Sequence, residues 1–137
     1  MISQFFILSA RGDTLIVRDF RHDLIRNTPE IFYRHVKLTG DDIKPIFNKD
    51  GINFFYLQRP SLYLVCTSRF NTQPQLPLDL LYRIAAMIKD MCGVLTEEAI
   101  RKNFVLIYEL VDEMVDFGYT QVTGTSELTK LIVIFID

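Results

Sequence analysis

The chain has 137 residues, of which 49% are hydrophobic and 23% are charged, and its formal net charge is −2. This length suits one domain with a sizeable core, and the composition excludes a disordered chain. The small negative charge argues against a nucleic-acid binder, which usually presents a basic face.

The N-terminal apolar run is too short for a signal peptide, and no stretch approaches the roughly 20 apolar residues of a membrane span. The two cysteines fit neither a metal spacing nor a disulfide framework. We therefore expect a soluble protein from a reducing, cytoplasmic compartment.

Two short runs rich in β-branched and aromatic residues begin the chain. Residues 2–9 and 14–19 have this character, and the ARGD sequence at 10–13 separates them. A glycine between two such runs predicts a β-hairpin, so we interpret the Arg-Gly-Asp tripeptide as turn chemistry.

A helix is predicted next, with Thr28 as N-cap and Pro29 at its first position. Gly40 should end it. Its apolar stripe comprises Ile31, Phe32, His35, Val36 and Leu38. We interpret His35 as a packed helix residue rather than a ligand.

Three more strands are predicted at 43–47, 52–58 and 62–68, separated by a turn at 48–51 and by residues 59–61. The last of these strands is apolar on both faces. Such a pattern is typical of a central strand covered by helices on both sides.

Two helices complete the pattern. Pro77 opens the first and Gly93 closes it, with Leu78, Leu81, Ala85 and Ile88 as its buried stripe. Thr96 caps the second, which should run to Phe117 and stop at Gly118. The element order ββαβββαα predicts one α+β domain.

The second of these helices carries four carboxylates, and their positions decide whether they could form an active site. They are Glu109, Asp112, Glu113 and Asp116. On a helical wheel with Glu109 at 0°, all four fall within an arc of about 100°. Leu106, Ile107, Leu110, Val111, Met114, Val115 and Phe117 fill the opposite side. The acids are therefore predicted to be the solvent face of an amphipathic helix.

The buried side of this helix is expected to pack against one face of the 62–68 strand. That face bears either Leu62, Leu64 and Cys66 or Tyr63 and Val65.

No motif typical of catalysis is present: the sequence has no Gly-rich phosphate loop, no nucleophile elbow and no paired His and Cys. The acidic pairs at i,i+4 lack the Glu-x-x-His partners of a helical di-metal site. We therefore predict a non-catalytic interaction module with no catalytic residue, metal or cofactor.

Residues 103–121, NFVLIYELVDEMVDFGYTQ, resemble a signature that closes the N-terminal domain in the medium (mu) chains of clathrin-adaptor-type complexes. The opening MISQFFILSARGD is similar to the start of such chains. Phe20, Pro45-Ile46-Phe47, Leu62-Tyr63-Leu64-Val65 and Glu97-Glu98 extend the resemblance over nearly the whole chain. Within the family, MISQFF and TQVTGTSEL look most like the medium chain of the fourth adaptor complex.

The resemblance implies a single longin-like domain over 1–137, in which a five-stranded antiparallel sheet has one helix on one face and two on the other. It also implies a subunit of a heterotetramer of two large chains, one medium chain and one small chain. Such complexes sort cargo at the trans-Golgi network or endosomes. This domain would dock on the large beta-type chain and reach the membrane only through the complex.

Family members also carry a C-terminal domain that reads tyrosine-based sorting signals. This chain stops before such a domain, so cargo recognition is not expected of it. Residues 125–137 end in LIVIFID and depart from the family pattern. They are interpreted as a possible extra helix or a divergent tail.

The predicted protein interface lies around the C-terminal end, where apolar anchors would supply affinity and acids would orient a basic helical partner. Its residues are Asp112, Glu113, Asp116, Tyr119, Leu128, Leu131 and Ile132. Two alternatives stay open. The chain could be a longin domain of another trafficking factor, such as a SNARE or a coat subunit, or a profilin-like module that binds a small ligand.

Overall fold

The computed structural model describes residues 2–21, 27–40, 45–69 and 75–121, and for 75–76 and 115–121 it describes the backbone alone. The strands are β1 (Gln4–Ser9), β2 (Thr14–Asp19), β3 (Ile46–Lys49), β4 (Ile52–Arg59) and β5 (Leu62–Ser68). The helices are α1 (Thr28–Thr39), α2 (Gln75–Cys92), α3 (Glu97–Lys102) and α4 (Phe104–Gln121). The strands form one sheet in the order β2-β1-β5-β4-β3, and all neighbouring strands are antiparallel. The predicted α+β fold with a five-stranded antiparallel sheet is confirmed.

Strand β5 lies in the middle of this sheet, and all its residues are buried. Successive side chains of a strand point to opposite faces, so β5 contributes to two separate cores. Leu62, Leu64 and Cys66 pack in the core beneath α2, α3 and α4. Tyr63 and Val65 pack in the core beneath α1. The expectation of a central strand covered on both faces is confirmed.

Helix α1 differs from the prediction at its N-terminal end and at one position of its apolar stripe. Thr28 is its first residue rather than its N-cap, because Asn27 occupies the capping position. The Thr28 side chain is buried, and its hydroxyl donates a hydrogen bond to the Gln4 side-chain carbonyl on β1. Leu38, predicted to be part of the apolar stripe, is 82% exposed. Gly40 follows the helix as predicted, and its N–H donates to the Val36 carbonyl.

The turn between β1 and β2 approaches α1 so closely that only glycine fits. Gly12 has φ +95°, a conformation that side chains with a Cβ rarely adopt. A Cβ built at Gly12 would lie 2.7 Å from the ring of Tyr33. The Tyr33 hydroxyl also donates a 3.4 Å hydrogen bond to the Ala10 carbonyl. The predicted hairpin is confirmed, and its glycine is fixed by packing as well as by the turn.

Strand β3 is placed later in the chain than the predicted 43–47, of which 43–44 lie outside the described residues. The connection to β4 is a two-residue turn, with φ +55° at Asp50 and +79° at Gly51. Positive φ at both central residues is typical of a type I′ turn, which lets pairing continue up to the turn itself. Lys49 therefore pairs with Ile52, and the predicted four-residue turn was wrong.

The predicted helix over 96–117 is divided at Asn103 into α3 and α4, so three helices cover that face of the sheet. The Asn103 side-chain amide donates to the Ala99 carbonyl at 2.9 Å, and its backbone N–H also reaches the Ala99 and Ile100 carbonyls. An Asn side chain that bonds to nearby backbone competes with the helical ladder. This competition ends α3, and α4 then continues beyond Gly118 to Gln121.

The start of α3 and both ends of α2 are closer to the prediction. Thr96 caps α3 as expected, and its hydroxyl accepts a hydrogen bond from the Ala99 N–H at 3.2 Å. Helix α2 begins at Gln75, two residues before Pro77. It ends at Cys92, and the N–H of Gly93 donates to the Lys89 carbonyl at 2.8 Å.

Candidate protein interface

Helix α4 carries four of the seven residues of the predicted interface, and the described residues on its inner side agree with the wheel at most positions. Ile107, Leu110, Val111 and Met114 are buried in the same core as Leu62, Leu64 and Cys66. This settles which face of β5 lies beneath the helix. Leu106 is only half-buried and does not belong to that core, so its predicted burial was wrong.

The outer side of α4 carries the predicted acids, and they differ in their surroundings. Glu109 is exposed, whereas Asp112 and Glu113 are half-buried. Asp116 and Tyr119 lie in the described backbone of α4, but their side chains are not described. Leu128, Leu131 and Ile132 lie outside the described residues, as does the whole of 125–137. Of the predicted interface residues, the structure describes the side chains of Asp112 and Glu113 only.

Asp112 binds within the domain instead of facing solvent freely. Its two carboxylate oxygens accept hydrogen bonds from Arg18 on β2, at 2.7 Å from Nε and 2.6 Å from Nη2. This paired geometry is the strongest arrangement of an arginine and a carboxylate. The hydrogen bond from Arg18 to Asp112 raises the pKa of the Arg18 guanidinium. The charge of Asp112 is thus already neutralised by the sheet.

The same part of α4 contacts the outer edge of the sheet at β2 through Tyr108. The Tyr108 hydroxyl accepts a 3.2 Å hydrogen bond from the backbone N–H of Val17. The Arg18 guanidinium lies 5.8 Å from the centroid of the Tyr108 ring. Because exposed strand edges can pair with other chains, a bonded N–H here makes strand addition at β2 less favourable.

A second charged cluster joins the β1–β2 hairpin to α3. Glu97 accepts hydrogen bonds from Arg101 at 2.9 Å and from Arg11 at 3.3 Å. The Arg101 bond is the larger of these influences, and together they lower the pKa of the Glu97 carboxyl. The carboxylate of Glu97 is paired with two arginines, so we interpret this cluster as a contact that holds the hairpin against α3. It is not a candidate for acid–base catalysis.

Two exposed apolar side chains at the start of α4 were missed by the sequence reasoning. Phe104 is 52% exposed and Val105 is 61% exposed. Both line an open depression of about 290 Å³, together with Lys102, Asn103, Leu106 and Glu109. A signal was available for Val105, because a helical wheel places it about 40° from Glu109, on the acidic side.

The described residues also bear on the expectations for a metal site, for His35 and for a membrane-spanning helix. Within 2–21, 27–40, 45–69 and 75–121, no group of three or more His, Cys, Asp or Glu side chains could hold a metal ion. His35 stacks on the Phe47 ring with centroids 3.9 Å apart, in agreement with its interpretation as a packed residue. No helix in the described part of the chain is long and apolar enough to cross a membrane.

Comparison with known proteins identifies the relatives of this chain. No protein-family model matches it. AP-4 complex subunit mu of Arabidopsis thaliana is 51% identical over 136 residues, which cover 96% of this chain and 30% of the relative. AP-4 complex subunit mu of Dictyostelium discoideum is 46% identical over 132 residues, with 96% and 25% covered. AP-4 complex subunit mu-1 of Homo sapiens is 45% identical over 134 residues, with 96% and 30% covered.

Solved structures give the same fold. A chain in a homology model of the full-length AP-3 complex in a stretched open conformation superposes with a TM-score of 0.72 at 14% identity. The match covers 98% of this chain and 93% of that one.

The chain spans less than a third of the length of the medium chains that it matches, and the matched region is their N-terminal part. Over 96% of its residues, this chain is therefore homologous to the N-terminal part of adaptor-complex medium (mu) chains, and it resembles those of AP-4 in particular.

Proposed function

We propose that this domain is a non-catalytic assembly unit of a heterotetrameric adaptor complex that acts in vesicle-mediated protein transport. The observation that carries the proposal is 43–51% identity to AP-4 medium chains over 96% of this chain. Identity at this level over a whole domain argues for the same fold and the same place in an assembly. The relatives are subunits of adaptor complexes, and the structure supplies a folded scaffold with helices on both faces.

The partner that we propose is the large beta-type chain, and through it the other large chain and the small chain. Membrane association would then be peripheral, at the trans-Golgi network or endosomes, and would depend on the complex. No cofactor or nucleic acid takes part in this role. The SNARE, coat-subunit and profilin-like alternatives have less support, because the relatives compared above are adaptor medium chains.

The residues first predicted for the interface stay a prediction. They are Asp112, Glu113, Asp116, Tyr119, Leu128, Leu131 and Ile132. The bond between Asp112 and Arg18 weakens one part of that prediction, since a neutralised acid attracts a basic partner less strongly. The four apolar members can be tested by substitution.

The test of the proposed function is capture after co-expression. The chain of 137 residues carries an affinity tag and is expressed with the beta-type large chain of AP-4 from a related organism. We expect the large chain to be recovered in a 1:1 ratio, and an unrelated helical-repeat protein expressed in the same way to be lost in the wash. Recovery of the large chain at the level of that control would contradict the proposal.

A matched variant then tests the predicted C-terminal anchors. Leu128→Asp with Leu131→Asp should reduce recovery of the large chain while thermal unfolding of the isolated chain is unchanged. If recovery is unchanged in a folded variant, these two residues are not part of the interface.

A further inference from the structure

The first turn of α4 exposes apolar surface that the domain does not use in its own core. Ile107, Leu110 and Val111 fill that core, with exposures of 0%, 4% and 0%. Phe104 and Val105 precede them on the same helix and are more than half exposed. Contiguous exposed apolar side chains are unfavourable in water and commonly mark association sites.

Two acidic side chains that follow on the same helix also lack an ion-pair partner in the described part of the chain. Glu109 and Glu113 lie four residues apart, where like charges on a helix repel each other. Neither forms an ion pair with any residue in the described part of the chain, and Glu109 adds only a weaker charge interaction with Arg18. Asp112 differs, because Arg18 neutralises it directly. Two carboxylates that form no ion pair in the described part of the chain therefore follow the apolar pair along the helix.

Val105, Glu109 and Glu113 lie within an arc of about 80° on one side of α4, at a spacing that another helix can match. Phe104 lies farther round the first turn but borders the same depression as Val105 and Glu109. At about 1.5 Å per residue, Val105 is about 6 Å from Glu109 and about 12 Å from Glu113 along the axis. The depression of about 290 Å³ beside Phe104 and Val105 is open enough to receive a large apolar side chain. A partner helix would meet apolar surface first and negative charge one and two turns later.

We propose that Phe104, Val105, Glu109 and Glu113 form a docking surface, here named the α4 outer face, for a basic amphipathic helix of the partner chain. The inference rests on the proposed function and identifies the kind of partner element. That helix carries adjacent apolar side chains for the depression, with Lys or Arg one and two turns away. Apolar contact supplies the affinity, and the paired charges set the direction in which the helix lies.

The alternative occupants fit less well. An added strand at β2, the sheet edge next to α4, would meet a Val17 N–H that is already bonded to Tyr108. A second copy of this chain would bring the same acids together, because a two-fold interface places each surface on itself. Charge complementarity therefore favours a basic partner over self-association.

The experiment uses the tagged 137-residue chain and the beta-type large chain of AP-4, co-expressed as above. We expect Phe104→Ser with Val105→Ser to reduce recovery of the large chain by at least tenfold. Glu109→Lys with Glu113→Lys should also reduce recovery, more strongly at low salt than at high salt. Both variants change exposed or half-exposed positions, and circular dichroism and thermal unfolding check that each is folded.

The matched control is Tyr82→Ser with Val94→Ser, because these side chains are 56% and 54% exposed at other places on the surface. Recovery with the control should equal that of the original chain. If the original chain is recovered and the Phe104/Val105 variant is recovered equally well, the α4 outer face is wrong and the proposed function stands. If the original chain captures no large chain, both fall.

A last measurement separates self-association from a partner helix. The original chain is run alone by size-exclusion chromatography with light scattering. A dimer that disappears in the Phe104/Val105 variant, with capture of the large chain unchanged, would show that this face joins two copies and would overturn the proposal.

Discussion

Truncation of two leucines on α4 tests whether the structure places this helix in the right rotation. The wheel drawn from the sequence buries Leu106 and Leu110 together, whereas in the structure Leu110 is 4% exposed and Leu106 is half-buried and outside the core. Leu110→Ala removes three buried carbons, which at about 0.8 kcal/mol each is about 2.4 kcal/mol. The cavity left behind adds to this, so we expect a loss of about 2–5 kcal/mol in the free energy of unfolding.

Leu106→Ala removes the same atoms from a half-exposed site. Most of the transfer energy is absent there, and we expect a loss of about 1 kcal/mol. The assay is urea denaturation of each 137-residue variant, followed by circular dichroism and by thermal unfolding. With a Tm change of about 4 °C per kcal/mol, Leu110→Ala should lower the Tm by about 10 °C or more.

One result would contradict the rotation of α4 seen in the structure. Equal losses for Leu106 and Leu110, with unchanged denaturant slopes, would mean that the helix is rotated as the sequence wheel drew it. A loss well under 1 kcal/mol at Leu110 would refute its burial altogether.

Three further predictions concern the turn, the sheet edge and the buried thiol. Gly12→Ala should destabilise the domain by more than Gly51→Ala, because both glycines have positive φ but only Gly12 faces a ring at 2.7 Å; equal losses in urea denaturation would contradict the close approach. A double-mutant cycle with Arg18→Ala and Asp112→Ala should give a favourable coupling of about 0.2–1 kcal/mol, since the pair is 46% and 32% exposed; a coupling well above 1 kcal/mol, or one of the opposite sign, would contradict a solvent-screened pair. Cys66 should resist a thiol reagent until the protein unfolds, because burial raises the pKa of its thiol and excludes the reagent; rapid labelling of Cys66 in the folded protein would contradict its place in the core.

Much of the fold followed from the sequence because its signals are local. Short runs rich in β-branched and aromatic residues marked β1, β2, β4 and β5 almost to their ends. The capping hydroxyl of Thr96 and the glycines after two helices marked helix ends through short-range hydrogen bonds. The two-sided apolar pattern of β5 indicated its central place, since only a strand covered on both faces can bury every side chain.

The errors in the predicted element boundaries arose where two local signals in the sequence favoured different backbone conformations. The pattern over 96–117 is continuous in hydrophobicity, and the wheel could not show that Asn103 interrupts it through its own side chain. Likewise, the positive φ angles of Asp50 and Gly51 permit a two-residue turn, which is tighter than the turn predicted at 48–51 from its Asn, Asp and Gly residues. In both places the backbone conformation of one or two residues decided the boundary.

The sequence by itself determined the element types, the α+β class and the relationship to adaptor medium chains, because these depend on local periodicity and on identity along the chain. Only the tertiary structure decided which acids are free. Asp112 is bound by Arg18 at a separation of 94 residues, so no pattern within the helix could reveal that pairing. The same holds for Phe104 and Val105, whose exposure depends on where α3 ends and how α4 lies on the sheet. Charge compensation and burial are set by contacts between distant segments, and those contacts exist only once the chain has folded.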